Sequence, residues 1–164
     1  MKSGGLMIRK ATENDVEAVK LIGILSTQQA YEGIIPEDVL NDAITESITT
    51  ERMLEQINNR TIMLATEGEM VVGFAMYEHK QDHTHIDVIY VLPHMQNQGY
   101  GKKLLDFVET EAKDHGKLIT LDIENGNVKG EEFYLSQGFE IVEYRPDTLF
   151  EYPIKRIIMK KVCN

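Results

Sequence analysis

Val91-Leu92-Pro93-His94-Met95-Gln96-Asn97-Gln98-Gly99-Tyr100-Gly101-Lys102 decides how the rest of this chain reads. An alternating, β-branched segment runs into Pro93. A short polar loop with two glycines follows, and then an amphipathic helix predicted from Lys102 to His115. Chains build anion sites in this way: bare N–H groups stand at a helix N-terminus, and glycines let a phosphate come close. Gly99 and Gly101 would let the loop curl, with the N–H groups of Gln98, Gly99, Tyr100, Gly101 and Lys102 turned inward. The spacing is not that of a Walker loop, which needs a leading glycine and a Lys-Ser/Thr pair. Nor is it the dinucleotide Gly-x-Gly-x-x-Gly, since Leu104 stands where the third glycine belongs. Gln96 is uncharged, so it can only hydrogen-bond or position the loop. Lys102 opposes the helix dipole unless an anion is bound; a solvated lysine is the other reading.

Working outward from the loop, Thr84 to Leu92 reads as the strand leading into it, after a polar turn from His79 to His83. Upstream, Thr61 to Thr66 and Met70 to Glu78 form a hairpin around Glu67-Gly68-Glu69. Nearer the start, Met7 to Lys10 is a short strand. Thr12-x-x-Asp15 opens a helix to about Gln29, with Val16, Val19, Leu21, Ile22 and Leu25 on its apolar side. Glu32-Gly33 ends it, Pro36 can begin a second helix, and Thr49 or Thr50 caps a third. Downstream come a strand from Lys117 to Ile123, a helix from Asn127 to Gln137 closed by Gly138, and strands Phe139 to Tyr144 and Ile154 to Val162. Pro146 and Pro153 punctuate the link between those last two. The order β-α-α-α-β-β-β-α-β-α-β-β predicts an α/β fold with a mixed sheet, parallel where helices intervene.

The 164 residues suit one domain spanning 1–164, with residues 1–6 a flexible start, large enough for a core without metals or disulfides. With 17 basic and 27 acidic residues the net charge is −10, which argues against nucleic acid or an anionic membrane as partner. The one cysteine, Cys163, allows no disulfide within the chain and points to a reducing, cytoplasmic setting. No apolar stretch reaches the roughly 18 residues of a membrane span, and Met1 to Gly5 is not a signal sequence.

Val91, Pro93, Gln96, Gly99 and Gly101 together resemble the pyrophosphate loop of the GNAT superfamily of acyl-CoA N-acyltransferases, Val-x-Pro-x-x-Gln/Arg-x-x-Gly-x-Gly. The segment from Ile8 to Asp15 is similar to a common GNAT opening. Asn127-x-x-Gly130-x-x-Phe133-Tyr134-x-x-x-Gly138-Phe139 resembles the family pattern Asn-x-x-Ala-x-x-Phe-Tyr-x-x-x-Gly-Phe. Gly130 departs from its alanine, at up to about 1 kcal/mol of helix stability. The resemblance covers most of the chain and implies acetyl-CoA as donor, with splayed central parallel strands. The backbone of Ile89 and Val91 would pair with pantetheine. Asn127 would hydrogen-bond the pantetheine arm, and Tyr134 would protonate the departing thiolate.

The chemistry needs two proton movements, off an amine of pKa ~10 and onto a thiolate of pKa ~8.5. By resemblance, the base lies on the strand before the loop. His85 stands where histone-acetylating members carry a glutamate, and Asp87 lies two further on. A histidine is the better base at neutral pH, so His85 is favoured with Asp87 assisting; water is a third source. Strand alternation would place His85, Asp87, Ile89 and Val91 on one face, and Ile86, Val88 and Tyr90 on the other. His83-x-His85-x-Asp87 could also meet a metal, but no second ligand pair is evident and no metal is expected. The resulting expectation is an N-acetyltransferase acting on a primary amine of a small molecule or peptide. A non-catalytic CoA-binding or sensing module is the alternative. The acceptor would pass between Tyr31–Pro36, the His79–His83 turn and the Pro146–Pro153 link. Glu32, Glu37, Asp38 and Glu151 could attract a polyamine, an aminoglycoside-like compound or a peptide N-terminus. An exposed edge on the final strand offers a surface for a homodimer.

Overall fold

The structure is a computed structural model that describes residues 5–164. The expected flexible start therefore falls mostly outside the described residues; Leu6, its last member, is already paired with Glu67. Seven strands form one mixed sheet: β1 (Leu6–Lys10), β2 (Thr61–Glu67), β3 (Met70–His79), β4 (His83–Val91), β5 (Leu118–Glu124), β6 (Glu140–Leu149) and β7 (Tyr152–Val162). Their spatial order is β1-β2-β3-β4-β5-β7-β6. Five helices accompany them: α1 (Val16–Tyr31), α2 (Glu37–Ser47), α3 (Thr50–Asn59), α4 (Tyr100–Ala112) and α5 (Val128–Ser136). The expected element order is the observed one.

The two faces of the sheet have separate cores. Leu104, Leu105, Val108 and Ala112 of α4 and Tyr134 of α5 pack on one face against Ala75, Tyr77, Ile86 and Ile119. Val19 and Ile22 of α1 and Ile57 of α3 pack on the other against Ile62, Leu64 and Phe74. In α1 the buried stripe is Val19, Ile22, Gly23 and Ser26, a helical i, i+3, i+4, i+7 pattern. Leu21, expected on the apolar side, lies two residues and about 200° from Val19 and is 53% exposed. A third cluster joins α2 to the end of the last hairpin through Tyr31, Ile35, Leu40, Ile44 and Ile154.

The helix entry at Thr12 is as read. The Thr12 N–H donates to Asp15 Oδ2 (2.8 Å), and Arg9 grips both oxygens of that carboxylate (2.8 and 2.9 Å). Hydrogen bonds and charge from Arg9 hold the Asp15 carboxyl at about 2, below its usual 3.8. A depressed carboxyl stabilises the fold above its unfolded pKa, and that stability goes as pH falls toward the folded value. Asp15→Asn should therefore cost about 1 kcal/mol at pH 7, since the half-exposed Arg9 is screened by water. Denaturant titrations between pH 7 and pH 2 should show the difference shrinking below about pH 4.

Two sequence expectations fail at the C-terminal end. Pro146 and Pro153 do not bound a loop; both lie in β-strands, paired with Lys155 and Thr148. The turn is Phe150-Glu151, where both residues adopt positive φ (49° and 67°) without glycine or asparagine to announce it. Pro146 is tolerated because β6 is an edge strand, where a missing N–H can face solvent. The final strand β7, expected to offer a free edge, is internal between β5 and β6. The two edges of the sheet are β1 and β6, and Pro146 interrupts the latter.

Candidate active site

The strands β4 and β5 run parallel, but their register covers only His83↔Leu118 to Ile86↔Leu121. From Asp87 onward the two strands part, and the side of β4 turned away from β3 has no strand partner. Leu92 N–H bonds Val72 O across the β3 side (2.9 Å), so its neighbours Val91 and Ile89 direct their backbone groups into the gap. That is the splayed backbone surface expected for these two residues.

A β-bulge marks the start of the splay. Met76 pairs with Val88 but Tyr77 pairs with Ile86, leaving Asp87 as the extra residue. The bulge overturns the simple alternation read from sequence. Ile86 joins Ile89 and Val91 on the α4 face, while Val88 and Tyr90 pack on the α1 face. His85 and Asp87 thus do not share a face with Ile89 and Val91. His85 Nδ1 contacts Thr120 Oγ1 (2.8 Å) on β5, and the Asp87 carboxylate is held by Arg60, which also reaches Glu78 (3.7 Å). His83 is engaged with Asp82 (2.7 Å), and among the described residues no three acidic, cysteine or histidine groups gather to hold a metal.

At the C-terminal end of β4 the chain passes through a tight turn at Pro93–Met95 to Gly99 and α4. Gly99 is left-handed (φ 90°), which glycine adopts freely. A Cβ there would meet no atom within 4 Å, so the space beside Gly99 is open. Lys103 is the first residue to bond back, to Gly99 O (3.0 Å). The N–H groups of Tyr100, Gly101 and Lys102 precede it and have no intrahelical acceptor. The backbone thus leaves three helix N-terminal N–H groups without an intrahelical partner beside Gly99. The side chains serve other ends: Tyr100 is buried and bonds Glu67 (3.1 Å), and Lys102 pairs with Asp106 (3.0 Å) along the helix. Gln98 is exposed. Gln96 turns away from the cradle to Val91 O (3.1 Å) and to Gln29 of α1 (2.7 Å).

Helix α5 leans over the gap from the α4 side. Phe133 lies beside Gly101, where an added Cβ would be 3.5 Å from its ring. Tyr134 is 6% exposed, edge-on to Phe133 and Phe139, and its hydroxyl makes no hydrogen bond to another described residue. Burial, with Tyr90 and Glu124 nearby, pushes the Tyr134 phenol above its usual range, so it remains a proton donor throughout the physiological range. Asn127 caps α5: its Oδ1 accepts from Gly130 N–H (3.1 Å) and its Nδ2 donates to Glu124 (2.6 Å). Gly130 suits this cap, because a Cβ there would sit 2.8 Å from Asn127 Nδ2.

The acidic end of β5 went unread in the sequence. Leu121 and Ile123 pack toward α4, so Asp122 and Glu124 turn to the opposite face. Glu124 is 8% exposed and meets Arg156 of β7 (3.5 Å), which also bonds Tyr31 Oη (2.9 Å) and Asp147 (3.2 Å). Burial pushes the Glu124 carboxyl up, and its bonds to Asn127, Arg156 and Tyr31 offset this only in part. A raised carboxyl favours the fold when protonated, and that advantage is lost as pH rises through its folded pKa. The stability of wild type relative to Glu124→Gln should therefore decline from pH 4 to pH 8, which paired thermal melts will register. Asp122 is exposed, with no hydrogen bond or ion pair among the described residues. The sequence signal was the alternation Leu121-Asp122-Ile123-Glu124 itself, with its two acidic residues at a strand end.

The expected walls divide. Tyr31 to Ile35 and the tip of the β6–β7 hairpin pack together beside Glu124 and Arg156. The His79–His83 turn sits at the closed end of the β4–β5 pair, with Asp82 against Gly116 and His79 stacked on His115 (4.0 Å), away from that mouth. No helix among the described residues is long and apolar enough to cross a membrane.

A splayed parallel pair with an anion cradle at one end and a buried phenol beside the gap defines a class of acyl-group transferases. A sequence model of the acetyltransferase (GNAT) family matches residues 27–139, and the chain belongs to that family. It is an N-acetyltransferase with acetyl-CoA as donor, and the open cradle and splayed strands suit that cosubstrate. A spermidine N(1)-acetyltransferase from Thermoplasma acidophilum is 26% identical over 141 residues, 82% of this chain and 88% of the relative. The PaiA N-acetyltransferase of Thermoplasma acidophilum, solved with coenzyme A, has a TM-score of 0.83 at 23% identity, covering 96% of this chain and 99% of that one. A GCN5-related N-acetyltransferase from Rhodopseudomonas palustris gives 0.82 at 20% identity, covering 99% and 98%.

Proposed function

We propose that the acceptor is a primary amine of an aliphatic polycation of the polyamine class, acetylated by direct attack with both substrates bound. The observation that carries this reading is Asp122, an exposed carboxylate in the field of Arg156 but with no hydrogen bond or close ion pair of its own among the described residues, next to Glu124 at the mouth of the gap. Glu32, Glu37, Asp38, Asp147 and Glu151 are exposed on neighbouring segments and add negative field. The nearby cations Arg60 and Arg156 are each already paired with carboxylates. The similarity to a spermidine acetyltransferase supports the same class.

Acetyl-CoA supplies an acetyl group already activated on a thiol leaving group. An amine of pKa near 10 arrives as an ammonium ion, which Asp122 and Glu124 would hold. It must lose a proton before its lone pair can form the C–N bond. His85 is the proposed base: Thr120 fixes its Nδ1 and leaves Nε2 without a partner among the described residues. Asp87, held by Arg60, would act as a charge partner. As the C–S bond breaks, the sulfur takes a proton from Tyr134. Asn127, through its remaining Nδ2 hydrogen, and the backbone of Ile89 and Val91 would orient the pantetheine arm. The Tyr100–Lys102 N–H groups would hold the diphosphate, with Gln96, Gln98 and Gly99 shaping the loop. Cytoplasmic residence, suggested by the lone Cys163, belongs to the same reading and is checked by cell fractionation.

Thiol release measured with spermidine, an aminoglycoside and an alanyl peptide tests the acceptor. Spermidine should give the highest kcat/KM, and Asp122→Asn should raise its KM roughly fivefold, about the worth of one solvent-exposed ion pair at its upper limit, without changing acetyl-CoA affinity. Preference for the peptide would overturn the polyamine class. Donor binding with no turnover on any amine would instead favour the CoA-sensing alternative.

A further inference from the structure

The segment 92–99 must hold a row of N–H groups in fixed directions, yet beyond the turn at Pro93–Met95 it has no regular structure of its own. Two of its residues, Asn97 (φ 64°) and Gly99 (φ 90°), are left-handed. A loop of this kind needs constraint from outside if it is to meet a ligand already shaped, because ordering it on binding costs affinity. The constraint visible here is an amide pair. Gln96 Nε2 donates to Gln29 Oε1 (2.7 Å), Gln29 Nε2 donates back to Gln96 Oε1 (3.3 Å), and Gln96 Nε2 also donates to Val91 O (3.1 Å). One side chain therefore joins the end of β4, the loop and the last turns of α1, across 67 residues of sequence. Both amides are half-buried, where neutral hydrogen bonds are less exposed to competing water.

We propose that Gln29 is a positioning residue for the donor. Through Gln96 it holds the 92–99 loop in the conformation that presents the Tyr100–Lys102 N–H groups to the diphosphate. Gln29 touches neither the reacting atoms nor the cradle itself, so it acts on the donor only through Gln96, and chiefly on the part that the cradle binds. This inference concerns the donor end and is independent of which amine is the acceptor.

The consequence separates positioning from general stability. Gln29→Met keeps length, packing volume and helix propensity but removes both amide bonds. It should raise KM for acetyl-CoA roughly tenfold, the scale of one or two lost hydrogen bonds, with kcat nearly unchanged. With S-acetyl-pantetheine, which has a thioester but no diphosphate, wild type and variant should perform alike. Gln96→Met should lose at least as much as Gln29→Met, and the double variant should be no worse than Gln96→Met alone. Equal losses with both donors, or fully additive losses in the double variant, would show that Gln29 only stabilises the fold. An unchanged KM for acetyl-CoA would remove the proposal outright.

Discussion

Gly99→Glu should abolish acetyl-CoA binding while leaving the protein folded. A Cβ at residue 99 meets no atom within 4 Å, so the new side chain starts out into open space. What it meets is the space in front of the N–H groups of Tyr100, Gly101 and Lys102. A carboxylate there occupies the cradle and repels a diphosphate by about 4 kcal/mol for unit charges 4 Å apart at an effective dielectric of 20. That corresponds to roughly a hundred- to thousandfold in Kd, read by calorimetric titration with acetyl-CoA. Gly99→Ala separates the two contributions. Alanine pays the backbone cost of φ 90°, about 1–2 kcal/mol, but brings no charge and little bulk. It should lower the melting temperature by a few degrees and weaken binding far less than glutamate. If alanine and glutamate weaken binding equally, the loop's shape matters and its occupancy does not. If neither weakens it, the diphosphate binds elsewhere.

The parts of this site that the sequence announces are those written in local chemistry. The loop from Val91 to Lys102 combines a proline, two glycines and a helix start within twelve residues, and each has a local physical meaning. The hairpin around Gly68 and the helix cap at Thr49 are legible for the same reason. The bulge at Asp87 is not, because nothing local distinguishes a residue that two strands fail to pair. Yet that one residue exchanges the faces of β4 and sends His85 and Asp87 to the side of Arg60 and Thr120. The turn at Phe150-Glu151 escapes because it adopts left-handed backbone without the residues that prefer it. As a result, Pro146 and Pro153 look like loop markers.

Contacts far apart in sequence are hidden in another way. Gln29 and Gln96 read separately as the end of a helix and an uncharged loop residue. Their meaning lies in being opposite each other. Arg156, Glu124 and Tyr31 come from β7, β5 and α1, and only the fold assembles them. Glu124 also shows why strand alternation alone misleads at a site. The pattern 121–124 reads as an ordinary half-buried strand, but Glu124 at its end is covered by Tyr31 and Arg156 rather than by water, while Asp122 stays exposed. Burial then moves its carboxyl upward, which a solvated strand face would not do.

Tyr134→Phe should lower kcat by about a hundredfold or more, the range of a positioned proton donor, with little change in acetyl-CoA affinity. The substitution removes one oxygen from a ring that is packed edge-on against Phe133 and Phe139 and whose hydroxyl bonds to no other described residue. Its structural cost is therefore small, and a melt should show near-wild-type stability. The chemical cost is specific. Burial keeps the phenol protonated in the physiological range, so the proton is present whenever the sulfur departs. Without it, the leaving group must go as a thiolate, and thiols of lower pKa should suffer less. A series of acetyl thioesters of differing thiol pKa makes this measurable: the rate of Tyr134→Phe should depend more steeply on that pKa than the rate of wild type. The proposed base gives the complementary signature. His85→Ala should lose the acidic limb of the pH–rate profile while keeping wild type's dependence on the leaving thiol. A Tyr134→Phe variant at full rate would move the acid to Tyr90 or to solvent. An unchanged pH profile in His85→Ala would leave water, or the carboxylates of β5, to take the proton from the amine.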